Sequence, residues 1–303
     1  MNTPSSVVFC NTEKTRSTES LTIADCAIGV GLRSPHHQQF LIDSPNVSWL
    51  EIHSENFFSP DTQQRLVLDK LSDQYPLSFH GIGLSLGSTD PLNKTHLGRM
   101  KALIDRYNPA LISEHLSWSS VNGRYFNDLL PLPYTQESLD LFVDRLNKVQ
   151  DYLGRALLIE NPTTYLSFTH STITEWDFLN EIQRRCQSGL LLDLNNIYVN
   201  SVNLGLDSLK YLQEIDLKAV KEIHLAGFTR KQLDCGEILI DTHGSVVSEP
   251  VWQMFRDLRQ HCKAPALIEW DNDVPALSVL LEQAHRAERE QRPAGHYNSE
   301  DKR

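Results

Sequence analysis

Glu51, His53 and Glu55 recur at every second position of the stretch Trp49-Leu50-Glu51-Ile52-His53-Ser54-Glu55-Asn56. In a β-strand that spacing sets all three on one face. Two carboxylates and an imidazole pointing one way repel each other and are costly to bury, so they belong on a wet face or around a cation. The same chemistry returns at the ends of later apolar runs, as His80, Glu114-His115, Glu160-Asn161, then Asp193 with Asn195 and Asn196. It continues with His224, Asp241-Thr242-His243, and Glu269 followed by Asp271 and Asp273. Cysteine is absent from this set. Mixed imidazole and carboxylate donors suit iron, manganese or zinc better than Cu(I) or an iron–sulfur cluster. With so many donors, two or three ions sharing bridging carboxylates are expected rather than one.

Singly, each residue has an ordinary explanation. A lone His80 could be a hydrogen-bonded structural residue. Glu51 or Glu55 could pair with an arginine or cap a loop, and Asp241-Thr242-His243-Gly244 could be a turn. The argument for a metal centre is convergence: the donors fall together only if the apolar runs are strands arranged to point one way.

Eight short apolar runs meet that need: residues 27–32, 47–53, 76–80, 110–115, 156–160, 189–193, 219–226 and 265–269. Nearly all are followed by a helical segment, at about 36–42, 61–72 (with Asp61 as N-cap), 96–107, 135–153, 175–185, 207–215, 251–261 and from 275. Buried runs alternating with helices indicate parallel strands. Eight such units in a chain of 303 residues predict a single α/β (β/α)8 TIM barrel, with function at the C-terminal strand ends. A doubly wound open sheet is the rival. It explains less well why polar residues follow nearly every strand. Asn122-Gly123 predicts a turn in an insertion after the fourth strand. Residues 1–22 read as a disordered polar tail, 23–283 as the metal-binding barrel, and 284–303 as a fraying helix and polar tail.

Net charge of −11 argues against a nucleic-acid binder, and no apolar run is long enough to span a membrane. The N-terminus lacks the apolar core of a signal peptide. Five scattered cysteines without CxxC spacing predict neither a disulfide framework nor a structural zinc, and a reducing, cytoplasmic setting. Gly81-Ile82-Gly83-Leu84-Ser85-Leu86-Gly87-Ser88 has the look of a phosphate cradle but the wrong spacing for one, and reads better as a tight turn beside the metals. Trp118, Tyr125 and Phe126 belong to the core or to the wall of a substrate cleft. No serine elbow is present, and Cys186 and Cys262 fall away from the strand ends.

Several of these stretches together resemble the multinuclear non-haem iron-dependent oxidase family, formerly an uncharacterised TIM-barrel family, which includes the iron oxidase of methanobactin biosynthesis. The matching segments are 29–33, 50–56, 80–88, 113–116, 127–134, 159–162, 191–196, 224–227, 241–244 and 267–271, covering most of residues 27 to 280 in order. The resemblance implies a barrel holding two or three iron ions, mixed Fe(II)/Fe(III), with dioxygen as co-substrate. Carried over by motif, it implies His53 and His80 as ligands of one iron and Glu114 as a bridge. Glu160, Asp193, Asn196, His224, Asp241, His243 and Glu269 are implied for the others, with Glu55 near the metals as a ligand or as support for one. Glu51, one pleat earlier, is expected to be a supporting group inside the barrel. The family pattern His-Leu-Ala-Gly-His ends here in Phe228, which alters whatever the second histidine does.

The resemblance further implies oxidation of cysteine in a ribosomally made precursor peptide, presented by a small leader-binding partner protein, with no nucleic acid and no membrane involved. Two other functions fit the donor set: a zinc or manganese isomerase or phosphoesterase, which would consume no oxygen, and a non-catalytic metal-loaded peptide-binding protein, which would hold a closed metal shell.

Overall fold

The computed structural model describes residues 21–234 and 236–292. The chain opens with β1 (Ile28–Gly31), α1 (His37–Asp43), β2 (Trp49–His53), α2 (Gln63–Leu71), β3 (Leu77–His80), α3 (Lys94–Tyr107) and β4 (Leu111–His115). A hairpin of β5 (Trp118–Val121) and β6 (Arg124–Leu130) follows, then α4 (Gln136–Leu153), β7 (Leu158–Glu160), α5 (Glu175–Cys186) and β8 (Gly189–Asp193). Next come α6 (Leu194–Leu204), α7 (Ser208–Glu214), β9 (Val220–Leu225) and a second hairpin, β10 (Thr229–Leu233) with β11 (Gly236–Ile240). The chain closes with α8 (Glu249–Arg259), β12 (Ala266–Ile268) and α9 (Leu277–Glu290).

Eight strands close into a parallel barrel in the order β1-β12-β9-β8-β7-β4-β3-β2. The expected TIM barrel is therefore the fold, and the open sheet is excluded by the β1–β12 pairing of Ile28 with Ala266 and Val30 with Ile268. Helices are started by short polar side chains that accept free amides of the first turn. Thr62 caps α2 in place of Asp61, and Asn93 starts α3 two residues before the expected position. Thr135 and Ser138 form a reciprocal capping box on α4. Asn122 and Gly123 both adopt positive φ, as a two-residue hairpin turn requires.

Three features depart from the sequence expectations. The segment after β9 is a hairpin rather than a loop. A helix, α6, starts directly at the end of β8, where only the later α7 was expected. Finally, α9 runs to Glu290 with Ala284 and Ala287 buried, so the expected boundary at 284 falls inside a helix. Most of the expected N-terminal tail and residues 293–303 lie outside the described residues.

Inside the barrel, β1 contributes almost no side-chain volume. A Cβ on Gly29 would sit 2.4 Å from the Trp49 ring, and one on Gly31 would sit 2.8 Å from the Arg33 guanidinium. The two glycines make room for the indole, which fills the lower interior, and for the arginine, which folds back over the mouth.

Candidate metal centre

The mouth of the barrel gathers side chains from six strand ends and two following loops. On β3 and β4, His80 and His115 pack with ring centroids 4.5 Å apart. Both point Nε2 at Oε2 of Glu160 on β7, at 3.4 and 3.2 Å. His115 Nδ1 lies 3.1 Å from the Gly81 carbonyl, an acceptor only, so Nδ1 carries the proton and Nε2 is left with its lone pair. A lone pair facing a carboxylate oxygen needs a proton or a cation between them. Glu160 Oε2 has no hydrogen-bond partner. Burial, reinforced for His80 by His115, drives the His80 pKa well below the ordinary imidazole range, and burial takes His115 to about 4. Both rings are neutral at physiological pH and ready to ligate.

Beside β7, Asp193 ends β8. Its Oδ1 accepts from the Asn196 amide at 2.6 Å as the N-cap of α6, and its Oδ2 has no hydrogen-bond partner. His243, in the loop after β11, has φ of 43°. That backbone brings Nε2 2.6 Å from Asp241 and Nδ1 3.2 Å from Glu269 of the loop after β12. His224 on β9 sets Nδ1 2.9 Å from Glu269 Oε2. Burial disfavours charge on His224 and His243, but Glu269 with Glu51 and Asp241 with Glu269, respectively, override it and hold both pKa values well above the ordinary range. Burial pushes the Asp193 carboxyl up to about 7 and lifts that of Glu160 well above its ordinary value.

Five triads of His, Asp and Glu place one donor atom each within 4.8 Å of one another; among them are His80-His115-Glu160, Glu160-Asp193-His224 and Asp193-His243-Glu269. Glu160, Asp193, His224 and Glu269 each belong to more than one, so bridging carboxylates are geometrically available. Buried donors with unpartnered atoms fit cations. The donor set admits iron, since it is imidazole and carboxylate throughout.

The remaining residues sort differently. His53 Nε2 lies 3.0 Å from the Arg33 guanidinium, and Arg33 donates from Nε to Asp271 at 2.8 Å. His53 still belongs to a triad with Glu51 and Glu269. Glu114 does not join the cluster. Ser113 bonds His80 and His115 faces Glu160, so the alternation of β4 turns Glu114 the other way. Its oxygens accept from the amides of Leu84 and His115. Glu55 accepts from the amides of Ile82 and Gly83 at 3.0 and 2.9 Å and faces His96. The glycine-rich loop is thus held by the protein's own carboxylates beside the mouth histidines. Asn196 spends its carbonyl on Thr163 and its amide on Asn161 and Glu160.

Sequence reasoning placed His115 and Asp271 near the site without choosing them, and it missed Arg33 and Glu222. The signal for Glu222 was available: Glu222-Ile223-His224 repeats the spacing of Glu51-Ile52-His53. Cys186 is buried, which pushes its thiol up to about 11, so it is no nucleophile.

A closed parallel barrel with buried imidazoles and carboxylates at its mouth defines a metal-binding TIM barrel of xylose-isomerase-like architecture. A xylose isomerase-like TIM barrel protein from Mycobacterium smegmatis, in complex with magnesium, superposes with a TM-score of 0.56 at 13% identity, over 89% of this chain and 98% of that one. A D-psicose 3-epimerase from Clostridium cellulolyticum H10 gives 0.55 at 10% identity, over 87% and 97%. At these identities the likeness is of fold alone. Residues 27–292 match the family of the RiPP precursor modification enzyme MbnB/TglH/ChrH, and the chain belongs to that family. Its relatives include a UPF0276 protein of Vibrio vulnificus (strain YJ016), 54% identical over 86% of this chain and 90% of that one. Another, from Psychromonas ingrahamii, is 48% identical over 86% and 92%. The chain is thus one of a family of peptide-modifying enzymes. No helix among the described residues is long and apolar enough to cross a membrane.

Proposed function

We propose that this protein is an iron-dependent, dioxygen-using oxidase that modifies cysteine in a ribosomally made precursor peptide, with a small partner protein presenting the leader. The observation that carries the reading is the mouth cluster. His80, His115, Glu160, Asp193, His243 and Glu269 converge there, with Glu160 Oε2, Asp193 Oδ2 and Nε2 of His243 unpartnered. These residues would hold two or more irons, and iron bound there supplies a Lewis acid for a substrate thiolate and electrons for dioxygen. The chain's own residues do the rest. Glu269 accepts from the Nδ1 side of His224, which sets the ring's orientation. Asp271 and Arg33 hold the rim beside His53. The Glu55 and Glu114 carboxylates fix the loop that carries the Gly81 carbonyl against His115.

The two hairpins follow the mouth ends of β4 and β9 and rise on either side of it. Exposed Tyr125 and Phe126 on the first hairpin and Tyr165 and Leu166 in the loop after β7 suit an extended peptide. Phe228 stacks on Tyr198 at 5.4 Å with Arg230 over its ring, which gives this part of the wall an aromatic character where the family pattern has histidine.

The test is anaerobic reconstitution with Fe(II), followed by a cysteine-bearing precursor peptide and oxygen. Oxygen uptake coupled to a mass change confined to the cysteine residue is expected. Tight retention of zinc with no oxygen uptake on iron loading would overturn the proposal.

A further inference from the structure

Beneath the mouth the barrel interior holds a second polar layer. Four strands place a polar side chain two residues before a mouth histidine: Glu51 before His53, Ser78 before His80, Ser113 before His115, and Glu222 before His224. All four are fully buried at 0% exposure, in a position that barrels ordinarily fill with branched apolar side chains. Ser78 and Glu222 belong to strands on opposite sides of the barrel, and Ser78 Oγ donates to Glu222 Oε2 at 3.0 Å, so the contact crosses the interior. Apart from that contact, Ser113 against His80 Nδ1 and a 3.7 Å approach of the Arg33 guanidinium to Glu51 Oε1, the layer is unsatisfied. Neither oxygen of Glu51 has a hydrogen-bond partner, nor does Oε1 of Glu222.

His224 closes the layer from above. With Nδ1 against Glu269, its Nε2 is turned inward, 3.0 Å from Glu51 Oε2 and 3.7 Å from Glu222 Oε1. Neither approach is aligned as a hydrogen bond. Donor atoms of Glu51, Glu222 and His224 lie within 4.8 Å of one another. Two dry carboxylates this close are costly unless something positive sits between them. A carboxylate accepting the far N–H of an imidazole is the usual support for a histidine that binds metal through its other nitrogen. Ser78 ties down one oxygen of Glu222 and leaves the other free.

We infer that a divalent transition-metal ion sits inside the barrel between Glu51, Glu222 and Nε2 of His224, one layer below the mouth centre. Its imidazole–carboxylate shell suits Fe(II), Mn(II) or Zn(II). The ion joins β2 to β9 through the interior and fixes the ring plane of His224, whatever reaction the mouth performs.

The test is a crystal structure of the protein loaded with Mn(II), with anomalous scattering recorded across the manganese edge. A peak at coordination distance, about 2.0–2.3 Å from donors, from Glu51, Glu222 and His224 Nε2 is expected. Peaks confined to the mouth, with Glu51 and Glu222 bridged by hydrogen bonds instead, would overturn the inference. In solution, Glu222→Gln is expected to bind one Mn(II) fewer per chain than wild type with unchanged circular dichroism, and equal stoichiometry would count against the ion. If that variant does not fold, the wild-type map decides. An interior peak without oxygen uptake leaves the ion standing and removes the oxidase proposal; oxygen uptake without the peak does the reverse.

Discussion

His115 and Glu114 are neighbours with opposite duties. His115 faces Glu160 at 3.2 Å with an unprotonated nitrogen, while Glu114 turns outward to the amides of Leu84 and His115. His115→Ala is therefore expected to lower bound metal by one ion or weaken it at least tenfold, measured by equilibrium dialysis with elemental analysis. Glu114→Gln is expected to keep the full metal complement while losing about 1–2 kcal/mol of stability, because a strand-end carboxylate that accepts two amides becomes a poorer acceptor. Equal metal loss in both variants would contradict this division. The sequence made either residue of the Glu114-His115 pair a candidate. Which one faces inward depends on strand register, and the motif alone does not carry it.

Elements set the second scale. Asp193 is both the last residue of β8 and the N-cap of α6, with one oxygen on the Asn196 amide and the other open towards His243. The two duties can be separated. Asp193→Asn keeps a good cap but removes the anionic donor, so metal is expected to be lost with stability near wild type. Asp193→Ala removes both and should unfold with about 1 kcal/mol less stability than Asp193→Asn, measured by urea titration of the metal-free forms. At this scale the strands were legible, because buried parallel strands are nearly continuous apolar runs. The start of α6 was not, since Leu194-Asn195-Asn196 reads as loop and is driven into helix by the Asp193 cap and by burial of Leu194 and Ile197.

At the scale of the whole molecule, the barrel buries titratable groups whose charges bound cations would balance. Burial pushes Glu51, Glu114 and Asp193 up to about 7, and His224 and His243 keep their protons well above the ordinary range despite burial, held by Glu269 with Glu51 and by Asp241 with Glu269. Between pH 6.5 and 8 an unfolded chain has lost the carboxyl protons and is losing the imidazole protons, while the folded metal-free chain keeps a larger share of both. Folding therefore binds protons, and stability must fall as pH rises through 7 to 8. The melting temperature of metal-free protein is expected to drop across that window, and the gain on adding Mn(II) to grow with pH. Metal uptake at pH 7 should release protons in weak buffer. A melting temperature that rises from pH 6.5 to 8 without metal would refute this account. Barrel closure belongs to the same scale. Gly29→Val forces a side chain into the Trp49 ring, 2.4 Å from where its Cβ must sit, and is expected to cost about 1–3 kcal/mol or prevent folding, read by thermal melts.

The sequence by itself determined the number of barrel strands, their parallel direction and the kind of donor at each strand end. Those depend on local patterns of two and 3.6 residues and on side-chain chemistry. Only the tertiary structure decided which donors meet. Closing the barrel brings Ser78 against Glu222 and Glu51 against His224 across the interior, over separations no local pattern spans. It also turns Glu55 and Glu114 away to hold a loop. Alternation fixes which side of its own strand a residue faces. Which carboxylate then finds an imidazole, an amide or an empty position for a cation is set by register and by what arrives from the opposite wall.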